Sequence, residues 1–166
     1  MKISIDLDGV LCDFYSSYFE RFGPSENITK NVRKLAKDKD FWMNLPVLRE
    51  LSFKPQQYTT ARIINKRWIK EYLDINNFPK APIYQVFGYS LSKYPKIKMT
   101  GCHLHIDDSL SVFKDLNSKG IPCLLLDTPF NREWGPIGRI YSLDINEIED
   151  TYNLFLKTVF YNFNKL

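Results

Sequence analysis

The sequence contains two pairs of closely spaced aspartates, and each pair has a pattern that could hold a cation. Asp6 and Asp8 flank a leucine and precede Gly9, and Asp107 and Asp108 are adjacent. Neighbouring carboxylates repel each other unless a proton or a cation lies between them, and Mg²⁺ prefers oxygen ligands of this kind. Each pair also has a simpler interpretation, as a polar turn or cap at the start of a helix. For either pair alone, the two interpretations are equally open.

Thr60 and Lys93 have side chains that suit a phosphate group. Thr60 precedes a predicted helix, where a hydroxyl and backbone N–H groups can hold a phosphate oxygen, although an N-cap threonine is the more common role. Lys93 belongs to a chain with 23 basic residues, most of which we expect to be solvated charges. Both residues therefore gain functional weight only from the four aspartates.

The elements that must position these residues alternate between strands and helices. The predicted strands cover residues 2–7, 55–60, 83–87, 102–107 and 122–126. The predicted helices cover residues 11–22, 63–74, 109–119 and 144–163, with an irregular loop at 127–138 and a short strand before the last helix. Residues 25–50 are lysine-rich and polar without a strand pattern, which predicts a small helical insertion.

This alternation predicts an α/β fold: a Rossmann-like parallel sheet of about five strands, with helices on both faces and a small helical cap insertion over residues 24–51. The length of 166 residues and the 44% hydrophobic content fit a single domain over residues 1–166. Parallel sheets bind ligands at the carboxyl ends of their strands. The four aspartates, Thr60 and Lys93 all follow predicted strands, so we expect them to meet at that edge of the sheet.

The composition disfavours several other classes of protein. The net charge of +4 favours anionic partners only mildly and is too small for a dedicated nucleic-acid binder. Three cysteines without a CxxC pair indicate reduced thiols, not a disulfide framework or a zinc site. The chain begins without the pattern of a signal peptide and contains no long apolar stretch. We therefore expect a soluble, cytoplasmic protein that does not contact a membrane.

Taken in order, the motifs resemble those of the haloacid dehalogenase superfamily. They stand here as Asp6-Leu7-Asp8-Gly9-Val10, Thr60, Lys93 and Asp107-Asp108, and the resemblance covers roughly residues 1–130. Three stretches are similar to one branch of that superfamily, the 5′(3′)-deoxyribonucleotidases: DLDGVLCDF at 6–14, FWMNL at 41–45 and DTPFN at 127–131. The insertion is shorter than in that branch. Thr60-Ala61-Arg62 replaces a Thr-Ser-Pro type of sequence, and Ser92-Lys93 replaces Asp-Lys.

The resemblance implies a Mg²⁺-dependent phosphomonoesterase that works through an aspartyl-phosphate. Asp6 is expected to attack the phosphorus, and Asp8 to protonate the leaving oxygen and then activate the water that releases phosphate. The implied metal ligands are the Asp6 carboxylate, the Asp8 backbone carbonyl and the Asp108 carboxylate, with Asp107 acting through a water. Mg²⁺ is therefore the expected cofactor.

The same resemblance implies how the substrate, a small phosphate ester and by this branch a nucleotide, is held. Thr60 and Lys93 are expected to bind the phosphoryl oxygens, with Thr59 and Lys96 as the second choices. The residues expected to contact the substrate are Phe14, Phe41, Trp42, Thr59 and Arg62. Phe41 and Trp42 could stack on a base, or they could form the small core of the insertion itself.

Other functions compete with this one. A 3′-phosphatase acting on nucleic-acid ends would share the chemistry but need an open cleft. A non-catalytic phosphate-binding module would have no use for the intact pair Asp6 and Asp8. A haloalkanoate dehalogenase is disfavoured, because dehalogenases of this superfamily lack the second aspartate that Asp8 supplies. His103 and His105 share one predicted strand face, as metal-binding pairs can, but no third ligand accompanies them.

Overall fold

A parallel sheet of six strands forms the centre of the protein, which a computed structural model describes over residues 1–24, 28–86 and 92–160. The strands are β1 (Ile3–Asp6), β2 (Gln57–Thr60), β3 (Ile83–Gln85), β4 (Leu104–Asp107), β5 (Cys123–Leu126) and β6 (Arg139–Ile140). Their order across the sheet is β3-β2-β1-β4-β5-β6, with every neighbouring pair parallel. The predicted α/β fold is confirmed, and the sixth strand is the short one expected after the loop.

The central strands are covered on both faces. All four residues of β1, β2, β4 and β5 are buried, as is usual for parallel strands between layers of helices. Three polar side chains inside this layer hydrogen-bond to one another, which offsets the cost of burying them. Gln57 Nε2 donates to Ser4 Oγ at 3.1 Å, and the same oxygen lies 3.0 Å from His105 Nδ1.

Seven α-helices surround the sheet within the described ranges. They are α1 (Phe14–Phe22), α2 (Ile28–Leu35), α3 (Lys39–Met43), α4 (Lys66–Ile75), α5 (Tyr94–Met99), α6 (Leu110–Ser118) and α7 (Ile145–Phe155), and a π-helical turn (Leu156–Phe160) follows α7. Of these helices, none has the length and apolar character that crossing a membrane requires. The short helix α5 was not predicted. Residue 87 of the third predicted strand and residues 161–163 of the last predicted helix lie outside the described ranges.

The predicted insertion is helical where the structure describes it, since α2 and α3 lie between α1 and β2. The segments before α1 and after α3 run side by side: Asp13 N donates to Pro46 O at 2.9 Å, and Leu48 N donates to Leu11 O at 2.8 Å. Above this base, the Trp42 indole N–H donates to Leu35 O at 2.7 Å. The unit formed by α1, α2 and α3 is therefore closed by backbone hydrogen bonds at its base and by the Trp42 bond inside it.

Candidate active site

The four aspartates meet at the carboxyl edge of the sheet, as the alternation of elements predicts. Asp6 is the last residue of β1 and Asp107 the last residue of β4, and these two strands are neighbours. Asp6, Asp107 and Asp108 are all buried, and each offers a carboxylate oxygen within 4.8 Å of the others. Asp8 lies in the loop after β1 and lines the same cavity. The site is thus assembled from two distant segments of the chain.

Lys93 joins the two strands electrostatically. Its Nζ lies 2.5 Å from Asp6 Oδ1 and 2.6 Å from Asp107 Oδ2, and the residue is buried. Lys96, the second choice for this role, lies exposed on α5. Because an ammonium group has three donors, Lys93 retains one N–H beyond these two ion pairs. Lys93 also lines the cavity beside Asp6.

Asp107 is held by contacts on both of its oxygens. His105 Nε2 lies 2.9 Å from the oxygen that also receives Lys93, and Ser109 N donates to the other oxygen at 2.9 Å. Burial alone would raise the pKa of Asp107, but the Lys93 ammonium and the hydrogen bond from His105 together outweigh burial and hold that pKa below its usual range. Burial lowers the pKa of His105. Asp107 is therefore an anion that orients Lys93, and neutral His105 supports it from inside the sheet.

In contrast to Asp107, Asp6 and Asp108 have raised pKa values. Burial raises the pKa of Asp6 from 3.8 to about 7, even though Lys93 opposes the shift. Burial, together with the charge of Asp107, raises the pKa of Asp108 well above its usual value. In the protein alone, the charged forms of both carboxyls are therefore disfavoured. A cation between them would stabilise those charged forms.

A divalent cation fits the charge balance and the spacing of this cluster. Of the described side chains, Lys93 and Arg62 are the two cations that form ion pairs with the four aspartates, so a divalent cation would balance all four carboxylates in their ionised form. Opposite ligands of an octahedral Mg²⁺ lie about 4.2 Å apart, twice the usual metal–oxygen distance. Asp6, Asp107 and Asp108 each offer an oxygen within 4.8 Å of the others, so one ion can lie among the three. The Asp8 backbone carbonyl as a further ligand stays a prediction.

Arg62 fastens the carboxylate of Asp8 in place. Its Nε lies 2.9 Å from Asp8 Oδ1, and its Nη2 lies 2.8 Å from the same oxygen. The guanidinium is buried, with its carbon 5.0 Å from the centre of the Trp42 ring and its Nη2 2.6 Å from Cys12 Sγ. Arg62 lines the cavity, as expected of a substrate contact, but its charge is already paired with Asp8. Its clearest role is to orient that carboxylate.

The two threonines at the end of β2 serve different aspartates. Thr59 Oγ1 donates to Asp6 Oδ1 at 3.2 Å, and Thr60 Oγ1 donates to Asp8 Oδ2 at 3.0 Å. Thr60 Oγ1 also accepts a hydrogen bond from Arg62 N at 3.0 Å. The expected contact of either hydroxyl with a phosphoryl oxygen stays a prediction. What the structure adds is that both threonines fix the orientation of the carboxylates.

A cavity of about 450 Å³ opens above the aspartates, and aromatic side chains line it. Phe14 and Trp42 are among them, whereas Phe41 lies at a separate surface depression beside Arg21. Sequence reasoning missed Tyr15 and Phe130, whose ring centres lie 5.3 Å apart at this cavity. The stretch DTPFN marked the neighbourhood of Phe130, but no local pattern relates the two rings.

The two histidines do not come together as a metal pair. His103 is exposed and precedes β4, where its Nδ1 accepts a hydrogen bond from Lys2 N at 3.4 Å. His105 is fully buried against Ser4 and Asp107. Within the described ranges, the one group of His, Cys, Asp or Glu side chains spaced for a metal ion consists of Asp6, Asp107 and Asp108. The alternative histidine site is therefore unsupported.

Gly9 determines how closely Asp108 can approach β1. Its φ of 78° is in the left-handed region, and a Cβ placed on it would lie 2.1 Å from Asp108 Oδ2. We expect Gly9→Ala to displace the Asp108 carboxylate and abolish the rise in melting temperature that Mg²⁺ produces. Gly120→Ala is a matched control, because Gly120 has the same φ of 78° with nothing within 4 Å of an added Cβ.

Both glycine variants should lose about 1–2 kcal/mol of stability from left-handed backbone strain. Thermal unfolding with and without Mg²⁺ separates that shared loss from the effect on the metal. An equal Mg²⁺ response in the two variants would show that the position of Asp108 does not matter for the metal.

A comparison with models of known protein families and with curated protein sequences finds no match. A functional assignment for this chain therefore rests on its residues and their geometry.

Proposed function

We propose that this protein is a Mg²⁺-dependent phosphomonoesterase that forms an aspartyl-phosphate on Asp6, and that its substrates are nucleoside monophosphates. The observation that carries this proposal is the cluster of Asp6, Asp107 and Asp108, whose oxygens lie within 4.8 Å of one another, with Lys93 bound to two of them. Buried acids that lack positive charge, beside an ammonium with a spare donor, suit a dianionic phosphate brought in with a metal.

Asp6 is oriented for attack on phosphorus. Lys93 and Thr59 both bond to its Oδ1, which fixes the plane of the carboxylate and directs Oδ2 away from them. In the first step, Asp6 forms a bond to phosphorus as the bond from phosphorus to the ester oxygen breaks. Asp6 and Asp108 would hold Mg²⁺, which would supply charge neutralisation at the phosphoryl oxygens. The spare N–H of Lys93 donates to one of those oxygens.

Asp8 acts as the general acid in the first step and as the general base in the second. As a carboxylic acid it gives its proton to the departing ester oxygen, and as a carboxylate it then takes a proton from the water that attacks phosphorus. The second step breaks the bond between Asp6 and phosphorus, releases inorganic phosphate and restores both aspartates. Arg62 and Thr60 keep the Asp8 carboxyl directed into the cavity through both steps.

The cavity wall favours a small substrate with an aromatic group. Tyr15 and Phe130 line it without being buried, and flat rings of this kind stack on a nucleobase with about 1–3 kcal/mol per base. Among the described lining residues, both cations, Arg62 and Lys93, are already paired with aspartates. A nucleic-acid end would need further cations along its phosphate chain. A nucleotide therefore fits this wall better than an oligonucleotide.

The proposal is tested by measuring phosphate release from nucleoside monophosphates, sugar phosphates and p-nitrophenyl phosphate. We expect release with Mg²⁺ and none with a chelator, with nucleotides preferred to sugar phosphates. An inert protein that still binds phosphate would instead be a phosphate-binding module. Strong salt dependence with an oligonucleotide carrying a 3′-phosphate would favour the nucleic-acid enzyme.

Replacing Asp8 with Asn should slow hydrolysis of alkyl phosphates more than that of p-nitrophenyl phosphate. The reason is that an alkoxide needs a proton in order to leave, whereas p-nitrophenolate leaves without one. General acid catalysis contributes about 10²–10⁴-fold to the rate. Steady-state rates of the variant on both substrates give the comparison, with Asp74→Asn, at an exposed position on α4, as the control. Equal losses on both substrates would mean that Asp8 only positions other groups.

A further inference from the structure

We propose that Asn131 is a positioning residue that holds Asp108 in place for Mg²⁺, so that its amide sets the metal affinity of the site. This inference rests on the proposed function, because it takes Asp108 as a metal ligand. Asn131 lies in the loop between β5 and β6, only 2% exposed, and its amide nitrogen bonds to the backbone of Asp108. Its influence would pass through the backbone of Asp108.

The amide of Asn131 is fully used by hydrogen bonds. Its Nδ2 donates to Asp108 O and to Leu126 O, both at 2.8 Å. Its Oδ1 accepts from Thr128 N at 3.2 Å and from Arg139 Nη1 at 2.6 Å. Two carbonyls on one side and two donors on the other define which amide atom is nitrogen and which is oxygen. The side chain therefore has one orientation, and that orientation ties the end of β5 to the residue that follows β4.

Arg139 holds Asn131 from behind. Besides the amide oxygen, its guanidinium reaches Asn131 O, with Nη2 at 2.8 Å, and Asp127 Oδ1, with Nη1 at 2.6 Å. The residue is buried, so these charged hydrogen bonds are shielded from solvent. Because Arg139 fixes the position of Asn131, the amide of Asn131 restrains the backbone of Asp108.

Asp108 needs such restraint because its position is limited on the other side too. The absent Cβ of Gly9 would lie 2.1 Å from Asp108 Oδ2, so the carboxylate rests directly against the loop after β1. Mg²⁺ tolerates only small departures from octahedral geometry. A shift of the Asp108 backbone would carry its carboxylate out of line with Asp6. Groups that orient metal ligands in this indirect way typically change metal affinity by about 10–100-fold when they are mutated.

The chain contains a matched control in Asn117. Its Nδ2 donates to Phe113 O at 2.9 Å and to Cys123 O at 3.1 Å, and its Oδ1 accepts from Cys123 N at 2.9 Å. Asn117 is buried, like Asn131, and joins a helix to a strand through the same kind of bonds. Cys123 begins β5, whereas the aspartates lie at the opposite, carboxyl end of the sheet. A change at Asn117 should therefore lower the stability of the protein without changing its affinity for Mg²⁺.

The test compares Asn131→Asp with Asn117→Asp. Each change places an oxygen against two carbonyl oxygens, so both variants should melt at lower temperature than the wild-type protein. Mg²⁺ binding is measured by calorimetry on metal-free protein and by the Mg²⁺ concentration needed to raise the melting temperature. We expect Asn131→Asp to bind Mg²⁺ about 10–100-fold more weakly, and Asn117→Asp to bind it like the wild type. Excess Mg²⁺ should restore turnover in Asn131→Asp.

The outcomes separate this inference from the function on which it rests. If the wild-type protein binds no Mg²⁺, the metal of the proposed function is wrong and this inference fails with it. If the wild type binds Mg²⁺ and Asn131→Asp binds it equally well, this inference alone is overturned. The pair Asn131→Ala and Asn117→Ala repeats the comparison without adding a charge, in case an aspartate variant does not fold. A loss of Mg²⁺ affinity common to both positions would also overturn it, since it would reflect general destabilisation.

Discussion

Replacing Asp6 with Asn should abolish turnover and, in metal-free buffer, make the protein more resistant to unfolding. Loss of the nucleophile is expected to lower the rate by about 10⁴–10⁶-fold, as for other enzymes that lose a covalent catalyst. Stability should change in the opposite direction, because burial raises the pKa of Asp6 to about 7 and so disfavours its charged form. An amide in the same place carries no charge to bury.

The pH dependence of this gain follows from the direction of the pKa shift. In the unfolded chain the pKa of the Asp6 carboxyl is near 3.8, whereas in the folded protein it is about 7. Its protonated form therefore favours the folded state below about pH 4, and that contribution is lost as the pH rises through about 7. The free energy of unfolding of Asp6→Asn should therefore increasingly exceed that of the wild type as the pH rises over this interval. Denaturant unfolding in a chelating buffer at several pH values measures it.

Trapping the intermediate completes the test of Asp6. Acid quenching during turnover of a labelled ester should leave label on the wild-type protein, released by hydroxylamine as an acyl phosphate would be, and none on Asp6→Asn. Asp74→Asn removes an exposed carboxylate from α4 and should change neither property. Turnover retained by Asp6→Asn would remove Asp6 as the nucleophile.

Replacing Trp42 with Ala should destabilise the protein by about 3–5 kcal/mol, the usual loss for a large aromatic residue in a core. Trp42 is 2% exposed, lies parallel to Phe14 with ring centres 5.6 Å apart, and has the Arg62 guanidinium 5.0 Å from its ring. Its indole N–H also donates to Leu35 O inside the insertion. Of the two roles that the sequence allows for this residue, core packing is the one these contacts favour, and the core it joins includes α1. Activity on all substrates should therefore fall together.

Urea unfolding and Michaelis constants for a nucleotide and for p-nitrophenyl phosphate distinguish the two roles. Trp134→Ala is the control, because Trp134 packs on Phe113 at 5.6 Å and does not line the cavity. Unchanged stability of Trp42→Ala with a higher KM for nucleotides alone would instead identify Trp42 as a base-stacking surface.

The parts of the site that local sequence patterns could predict are those at strand ends. Asp6 and Asp107 end β1 and β4 as expected, because buried apolar runs that end in acidic residues mark the carboxyl edge of a parallel sheet. Helix α5 was missed for an equally local reason. It is six residues long, contains Pro95 in its first turn and buries only Ile97, so its helical periodicity is too short to detect.

Other features depend on contacts that no local pattern contains. Arg62 pairs with Asp8 across 54 positions of sequence, and Asn131 bonds to the backbone of Asp108 across 23. Their partners are set by the order of the strands, which brings distant loops together at one edge. The burial of Trp42 likewise depends on how the insertion packs onto α1. Sequence reasoning located the acids, and the three-dimensional contacts revealed what orients them.

The paired base of the insertion also determines how it can move. Backbone bonds from Asp13 to Pro46 and from Leu48 to Leu11 join the segment before α1 to the segment after α3, so neither can separate without breaking them. A swing of the insertion together with α1 would consequently be a rotation about this short ribbon. Cys12, in the same ribbon, has its Sγ 3.7 Å from Asp8 Oδ1. A rotation that widens the cavity would therefore also displace the Asp8 carboxylate.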